Sequence, residues 1–156
     1  MKSLPLVLIG LLVSGCTISQ RIEPVPPLST AEICIIENPD VREGFIETYR
    51  RVLESKNFQI KMLPKTATPR DCRQASTYTA NWRWDLLLYL AFVDINVFAD
   101  GKSVGRAIYD SLGGSGNMSK FINAEKKITE LVDQLFPLSA PERNANSATI
   151  PSEQPQ

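Results

Sequence analysis

Histidine is absent from the 156 residues of this chain, and cysteine is scarce. Without an imidazole, the chain has no Ser-His-Asp triad and no histidine base to activate a cysteine nucleophile. The three cysteines, Cys16, Cys34 and Cys72, have no CxxC spacing, so zinc binding is the least favoured use of them. We therefore predict that the protein is not an enzyme and that it binds no metal and no other cofactor.

A surplus of charge of either sign is also missing. Lysine and arginine total 17, aspartate and glutamate total 17, and the formal net charge is zero at neutral pH. Nucleic acids and anionic membrane surfaces attract proteins with a marked basic excess. The composition therefore predicts no nucleic-acid partner.

Apolar runs of transmembrane length are missing too. The N-terminal run covers residues 4–13, whereas a bilayer-spanning helix needs about 20 apolar residues. A lysine, this run and two small residues before Cys16 are typical of a cleaved secretory signal. The segment resembles the signal of bacterial lipoproteins, which implies removal of residues 1–15 and a lipid on Cys16. In enterobacteria an aspartate after the lipidated cysteine retains such a protein in the inner membrane, so Thr17 implies the outer membrane, with the domain on the periplasmic face.

Proline-rich and polar stretches flank one segment that is suited to folding. Residues 16–30 contain three prolines, and we expect a lipidated, extended linker that holds the domain up to about 40 Å from the membrane. Residues 137–156 are mainly polar residues, alanine and proline, and we expect a disordered tail. The remaining residues, 31–136, suffice for one hydrophobic core and are too few for two.

Cys34 and Cys72 allow three interpretations. In a chain exported to an oxidising compartment a disulfide is favoured, and it would close a loop of about 39 residues, worth roughly 4 kcal/mol. Alternatively, Cys34 is a small core residue. A metal site is least favoured, because no histidine accompanies the pair.

Hydrophobic periodicity divides the domain into strands and helices. Asp40 and Glu43 have the spacing of a capping box, so the first helix is expected to begin near Val41. Asp100 and Gly101 are typical of a type I′ hairpin turn. The predicted strands are residues 31–37, 58–62, 78–99 and 103–110, and the predicted helices are residues 41–57 and 117–136.

The order β-α-β-β-β-α predicts an α/β fold, a single two-layer sandwich with a mixed sheet and two helices on one face. An alternative order, β-α-β-β-β-β-α, divides residues 78–99 into two strands. We adopt the continuous strand.

An alternating aromatic row is the first candidate for a partner or ligand surface. Tyr78, Trp82 and Trp84 share one face of a predicted strand. The favoured interpretation is that they are core residues beneath a helix, because a two-layer sandwich needs one apolar sheet face to be covered. The alternative is an exposed row able to stack on sugars or peptides. The polar residues on the opposite face, which we predict as a surface for another protein, are Thr79, Asn81 and Arg83.

The second candidate is the loop that holds Gly113, Gly114 and Gly116, just before the last helix. Backbone N–H groups in such a loop can hold an anion or a partner. The GK[ST] ending of a phosphate-binding loop is missing, so a flexible connection is the favoured interpretation.

Four aspartates, at 85, 94, 100 and 110, are the remaining candidates for acid–base chemistry. Asp100 is explained by the hairpin turn. Asp94 interrupts an apolar run and is expected to pair with Arg83 or Arg106 across the sheet. Catalysis by a carboxylate pair is therefore disfavoured.

Four segments together resemble a family of uncharacterised lipoproteins of Gram-negative bacteria: ICIIENP at 33–39, VREGFIETYR at 41–50, YTANWRWDLLLYLA at 78–91 and NMSKFINAEKKITELVDQLFP at 117–137. The predicted topology is also similar to that of envelope lipoproteins that dock onto larger assemblies, among them lipopolysaccharide-assembly and transporter-auxiliary lipoproteins and the amino-terminal domain of the Tol-system translocation protein. The resemblance implies a lipid-anchored, non-enzymatic binding or adapter module whose partner is another envelope protein. The alternative is a lipoprotein that binds a small ligand or glycan through the aromatic row or the glycine loop.

Overall fold

A computed structural model describes residues 18–113 and 117–141. Within these ranges six strands form one mixed sheet and two α-helices pack on one face of it, which confirms the predicted α/β two-layer sandwich. The strands are β1 (Ser19–Glu23), β2 (Glu32–Ile36), β3 (Gln59–Leu63), β4 (Gln74–Asp85), β5 (Leu87–Ala99) and β6 (Lys102–Asp110), and the helices are α1 (Glu43–Ser55) and α2 (Ala124–Leu135), the latter preceded by a 3₁₀-helix at Met118–Phe121.

The strands lie in the order β1-β6-β5-β4-β2-β3 across the sheet. β2, α1 and β3 form the predicted β-α-β unit, in which β3 runs parallel to β2. β4 runs parallel to β2 on its other side, and β4, β5 and β6 form an antiparallel meander whose outer edge is extended by β1. β2 is therefore an interior strand, as its unbroken apolar run predicts.

The core lies between the sheet and the two helices. Phe45, Tyr49 and Leu53 are fully buried at helical spacing along α1. The core residues that oppose them come from α2 and from the interior strands, among them Ile33, Ile35, Val93, Ile95, Val97, Ile128, Leu131 and Leu135. In the part of the chain that the structure describes, both α-helices lie on this one face, and neither is long and apolar enough to cross a bilayer.

The structure differs from the sequence prediction over residues 16–30. Instead of belonging to a free linker, residues 19–23 form β1, which pairs antiparallel with β6. The next segment is held as well, because Val25 is buried and its N–H donates to the Leu135 carbonyl at 2.8 Å. The folded domain therefore begins close to Cys16.

A second difference concerns residues 78–99, for which the prediction of one continuous strand is wrong. β4 and β5 are separate strands that pair with each other along their whole length and turn at Leu86. Leu86 has a φ of 62°, a left-handed conformation that favours glycine or asparagine. The hairpin could not be predicted from the sequence, because its turn carries neither of these residues.

Predictions of turns and helix ends have mixed outcomes. The type I′ turn is confirmed, with positive φ values of 49° at Asp100 and 75° at Gly101. Asn57 ends α1 in the left-handed conformation, with a φ of 66°. The capping box is wrong, because α1 begins at Glu43 after Arg42, which makes no side-chain hydrogen bond to the helix.

The last helix and the start of the tail also depart from the predicted bounds. α2 begins at Ala124, and the side chain of Asn123 caps it by accepting from the Lys126 N–H at 3.0 Å. Ala140, which falls in the predicted tail, is buried and its N–H donates to the Lys56 carbonyl at 2.8 Å. The rest of the tail, residues 142–156, lies outside the described residues.

Cys34 and Cys72 form a disulfide, with their Cα atoms 6.2 Å apart. The bond joins β2 to the segment that leads into β4, and Cys34 is fully buried. A carboxylate oxygen of Glu32 lies within 4.8 Å of both sulfurs. Because the two sulfurs are bonded to each other, this group offers no thiolate to a metal.

Gly105 on β6 lies beneath the segment that follows β1. A Cβ added at Gly105 would lie 2.6 Å from Val25 Cγ2 and 3.1 Å from the Glu23 carbonyl oxygen. We expect Gly105→Ala to displace this segment and to lower the free energy of unfolding by about 1–3 kcal/mol. Gly44→Ala is the matched control, since nothing lies within 4 Å of its added Cβ and alanine is the better helix former. Urea unfolding measures both, and a Gly105→Ala protein as stable as wild type would contradict the packing of Val25.

Candidate functional site

The aromatic row lies in three different environments. Tyr78 is buried beneath α1, Trp82 is half-buried, and Trp84 is 76% exposed. The row is divided because the β4–β5 hairpin extends beyond the helices, and because a bulge shifts the pairing between Asn81 and Trp82. The interpretation as core residues is therefore confirmed for Tyr78 and wrong for Trp84, and the three rings do not form one exposed platform for a sugar.

Asn38, just after β2, ties this strand end to β4. Its Nδ2 donates to the Tyr78 carbonyl at 2.9 Å, and its backbone N–H donates to the Tyr78 hydroxyl at 3.2 Å. Its Oδ1 accepts from the Asp40 N–H at 3.1 Å. The sequence carried no signal for this role, because the two partners are 40 residues apart.

The Tyr78 ring is held on its other side by α1. It stacks on Phe45, with 5.3 Å between ring centroids and an angle of 11° between the planes. Burial raises the pKa of the Tyr78 phenol, the hydrogen bond from Asn38 opposes this, and the negative charge of Glu37 adds to it. The phenol therefore stays neutral at physiological pH and acts as a hydrogen-bonding group.

An open cleft of about 560 Å³ lies between the first half of α1 and the carboxyl ends of β2 and β3, and we call it the α1 cleft. In open α/β sheets, ligands bind beyond the carboxyl ends of strands where neighbouring connections leave in opposite directions. β2 is such a strand, because α1 leads to β3 on one side while β4 lies on the other. The cleft offers apolar side chains from Val41, Ile46 and Met62 between charges from Glu37, Arg50 and Lys65.

The face of the sheet opposite α1 and α2, which we call the outer face, is a broader surface than the α1 cleft. Thr79 and Asn81 are exposed on it. Arg106 of β6 donates to both carboxylate oxygens of Asp94 on β5, at 2.9 and 2.6 Å, which confirms the predicted pairing of Asp94 with an arginine across the sheet. The outer face therefore combines exposed polar side chains on β4 and an ordered ion pair between β5 and β6 with half-buried apolar side chains at Phe92 and Ile108.

The other aspartates that were candidates for acid–base chemistry also have structural roles. Asp85 accepts from Lys120 Nζ, Asp100 lies in the hairpin turn, and Asp110 accepts from the Leu112 N–H at 2.8 Å.

The remaining predicted positions are the three glycines of the loop, Cys16 and Arg83. Gly113 is exposed where the chain leaves β6, while Gly114, Gly116 and Cys16 lie outside the described residues. Arg83 is exposed on β4, beyond the bulge.

Sequence reasoning missed an exposed apolar group at the end of the β4–β5 hairpin. Its members are Trp84, Leu86, Leu87 and Leu88, which we call the apolar tip. The signal that was available is the loss of alternation after Trp84, where three consecutive leucines follow Asp85. A half-buried strand alternates apolar and polar residues, so an unbroken run beside it is a departure from that pattern.

No protein-family model matches the chain, and no curated protein matches it. Solved structures with a similar fold include a PelC dodecamer from Paraburkholderia phytofirmans, at a TM-score of 0.52 and 15% identity over 78% of this chain and 99% of that chain. A dodecamer of a single-substitution variant of PelC from the same organism gives a TM-score of 0.53 at 15% identity, over 81% of this chain and 100% of that chain. At this identity the likeness concerns the fold alone.

Proposed function

We propose that this chain is a lipid-anchored protein of a Gram-negative envelope that faces the periplasm from the outer membrane and acts as a non-enzymatic adapter. The observation that carries the proposal is the disulfide between Cys34 and Cys72. Structural disulfides persist in oxidising compartments such as the periplasm and are rare in the cytosol. The lipoprotein-like segment that ends at Cys16 supports the anchor and its location.

The partner we propose is a protein that binds the outer face. Thr79 and Asn81 are exposed on this face, and its mixture of polar and apolar side chains is typical of the interfaces of non-obligate complexes. The solved PelC structures are dodecamers, so a similar fold supports extensive contacts between protein chains. The partner is either another envelope protein or a second copy of this chain.

The anchor is tested by the intact mass of the protein purified from its native membrane. We expect an acylated chain that begins at Cys16 and takes up no thiol-blocking reagent at Cys34 or Cys72. Cys16→Ser should release the protein from the membrane fraction. A chain that keeps residues 1–15 and has both thiols blocked would contradict the location and the anchor together.

The partner is tested by photo-crosslinking in cells. A photoreactive amino acid replaces Asn81 on the outer face, and the matched control replaces Glu47, which is exposed on α1. We expect reproducible adducts from position 81 and none from position 47. An adduct of twice the chain mass identifies a second copy, and any other mass identifies a different protein. If position 81 gives no adduct, the adapter function through this face is wrong.

A further inference from the structure

The apolar tip exposes large side chains in one place. The exposed fractions are 76% for Trp84, 74% for Leu86, 63% for Leu87 and 48% for Leu88. Leu88 lies directly opposite Trp84 in the strand register, so these residues are spatial neighbours around one turn. Isolated exposed apolar residues are common, whereas a contiguous group marks an interaction site.

The turn residue itself is unfavourable for folding. Leu86 has a φ of 62°, and a residue with a Cβ adopts this left-handed conformation less readily than glycine. The backbone conformation disfavours a leucine at this position. Core packing does not explain it either, because the side chain is exposed. Backbone strain of this kind is concentrated at functional positions.

The path of β1 places the N-terminal segment at the same end of the sheet. Ser19 pairs with Asp110 on β6, and Asp110 pairs with Phe92 on β5. The chain that leads backwards from Ser19 therefore points towards the β4–β5 turn. From Ser19 back to Cys16 the chain spans at most about 10 Å. A lipid on Cys16 would consequently hold the domain with its apolar tip towards the bilayer, without a long tether.

We propose that the apolar tip inserts into the lipid leaflet that holds the acyl chains of Cys16. This inference rests on the lipid anchor of the proposed function. Tryptophan and leucine partition into the interfacial and acyl regions of a bilayer, and tryptophan is enriched at the interface. The domain would then lie against the membrane at two points, the lipid and the hairpin.

The charges beside the apolar tip fit this placement. Asp85 is the acidic residue within the turn, and its carboxylate is paired with Lys120 Nζ, whose side chain is only 6% exposed. A paired carboxylate is less costly to bring towards lipid than a free one. Arg83, on the other side of Trp84, is exposed and can place its guanidinium at the level of the lipid phosphates.

The two tryptophans of the chain allow a direct test. Trp82→Phe leaves Trp84 as the reporter in the apolar tip. Trp84→Phe is the matched control and leaves Trp82, whose ring lies 6.5 Å from that of Phe45 and 5.7 Å from the Arg42 guanidinium. Each full chain is purified from its membrane and reconstituted at low density into phosphatidylethanolamine–phosphatidylglycerol vesicles. Brominated acyl chains then serve as the lipid quencher and iodide as the aqueous quencher.

We expect brominated lipid to quench the Trp82→Phe protein several-fold and iodide to have little effect, while brominated lipid leaves the Trp84→Phe protein unchanged. Quenching of Trp84 by iodide would overturn the inference, because the apolar tip would then face water. Protection from both quenchers would also overturn it, since a protein, such as a second copy, would then cover the apolar tip.

The experiments distinguish a wrong lipid anchor from a wrong placement of the apolar tip. If the intact mass shows no acyl chain, the same brominated vesicles are added to the unacylated protein. Quenching of Trp84 under those conditions would support insertion of the apolar tip while the lipid anchor is wrong. Leu87→Asn with Leu88→Asn leaves Trp84 in place and should reduce that quenching several-fold.

Discussion

Reduction of the Cys34–Cys72 disulfide is expected to lower the melting temperature of the domain by roughly 12–20 °C. The bond joins residues 38 positions apart, and closing a loop of that length is worth roughly 4 kcal/mol in the chain-entropy model. Each kcal/mol corresponds to about 3–5 °C in a domain of this size. The loop contains all of α1 and β3, so the reduced unfolded chain gains freedom over a large part of the fold. Circular dichroism melts with and without reductant measure the change.

The matched control for this experiment carries Cys34→Ala and Cys72→Ala. We expect it to melt with the reduced wild type and to be insensitive to reductant. Alanine is chosen because Cys34 is fully buried, where the hydroxyl of a serine would need a hydrogen-bond partner. A wild-type melt that stays unchanged after both thiols are shown to be free would contradict the expected stabilisation.

Phe45→Ala is expected to cost about 3–5 kcal/mol in the free energy of unfolding. The Phe45 ring is fully buried, and its centroid lies 5.3 Å from that of Tyr78, 6.2 Å from that of Tyr49 and 6.5 Å from that of Trp82. Its removal leaves a cavity where α1 packs on β4. Because small domains are stable by only about 5–15 kcal/mol, this single change removes a large share of the total. Urea unfolding gives the value.

Ile46→Ala is the matched control, since the next side chain along α1 is half-buried and borders the α1 cleft. We expect a smaller loss of about 1–2 kcal/mol, in line with partial burial. When both substitutions are made in the Trp84→Phe protein, the fluorescence of Trp82 should change with Phe45→Ala and stay constant with Ile46→Ala. Equal losses in the two variants would mean that Phe45 is not the centre of the contact between α1 and the sheet.

The β-α-β unit, the hairpin between β5 and β6 and the layer arrangement could be predicted, because buried positions recur in the sequence with the period of a helix or a strand. Phe45, Tyr49 and Leu53 repeat at helical spacing, and each is fully buried. The strand predicted at residues 31–37 corresponds to β2, whose unbroken apolar run is typical of an interior strand. The disulfide was indicated by two cysteines that follow a segment typical of a secretory signal.

β1 and the β4–β5 turn could not be predicted, because tertiary contacts determine both. The residues of β1 pair through their backbone with β6, and backbone hydrogen bonds require no particular side chain. The following segment packs closely only because Gly105 leaves room for Val25. Leu86 makes its turn without the residue chemistry that marks a hairpin.

The candidate site could be predicted in part. Alternation correctly placed Thr79 and Asn81 on a polar face of β4. Alternation could not show how far the helices extend along the β4–β5 hairpin. Tyr78 is buried because a helix covers it, and Trp84 is exposed because it lies beyond the helices. The role of Asn38 depends on contacts between residues distant in sequence, which no local pattern records.

The described chain enters and leaves the domain at opposite ends of the sheet. Ser19 lies towards the β4–β5 turn, whereas Ala140 is hydrogen-bonded to Lys56 at the far end of α1, which runs antiparallel to β2 and β4. A fluorescent protein or affinity tag fused after residue 141 would therefore start on the side remote from the hairpin. Immobilised through such a tag, the protein would present its hairpin outwards, so a sensor surface could hold every molecule in the same orientation.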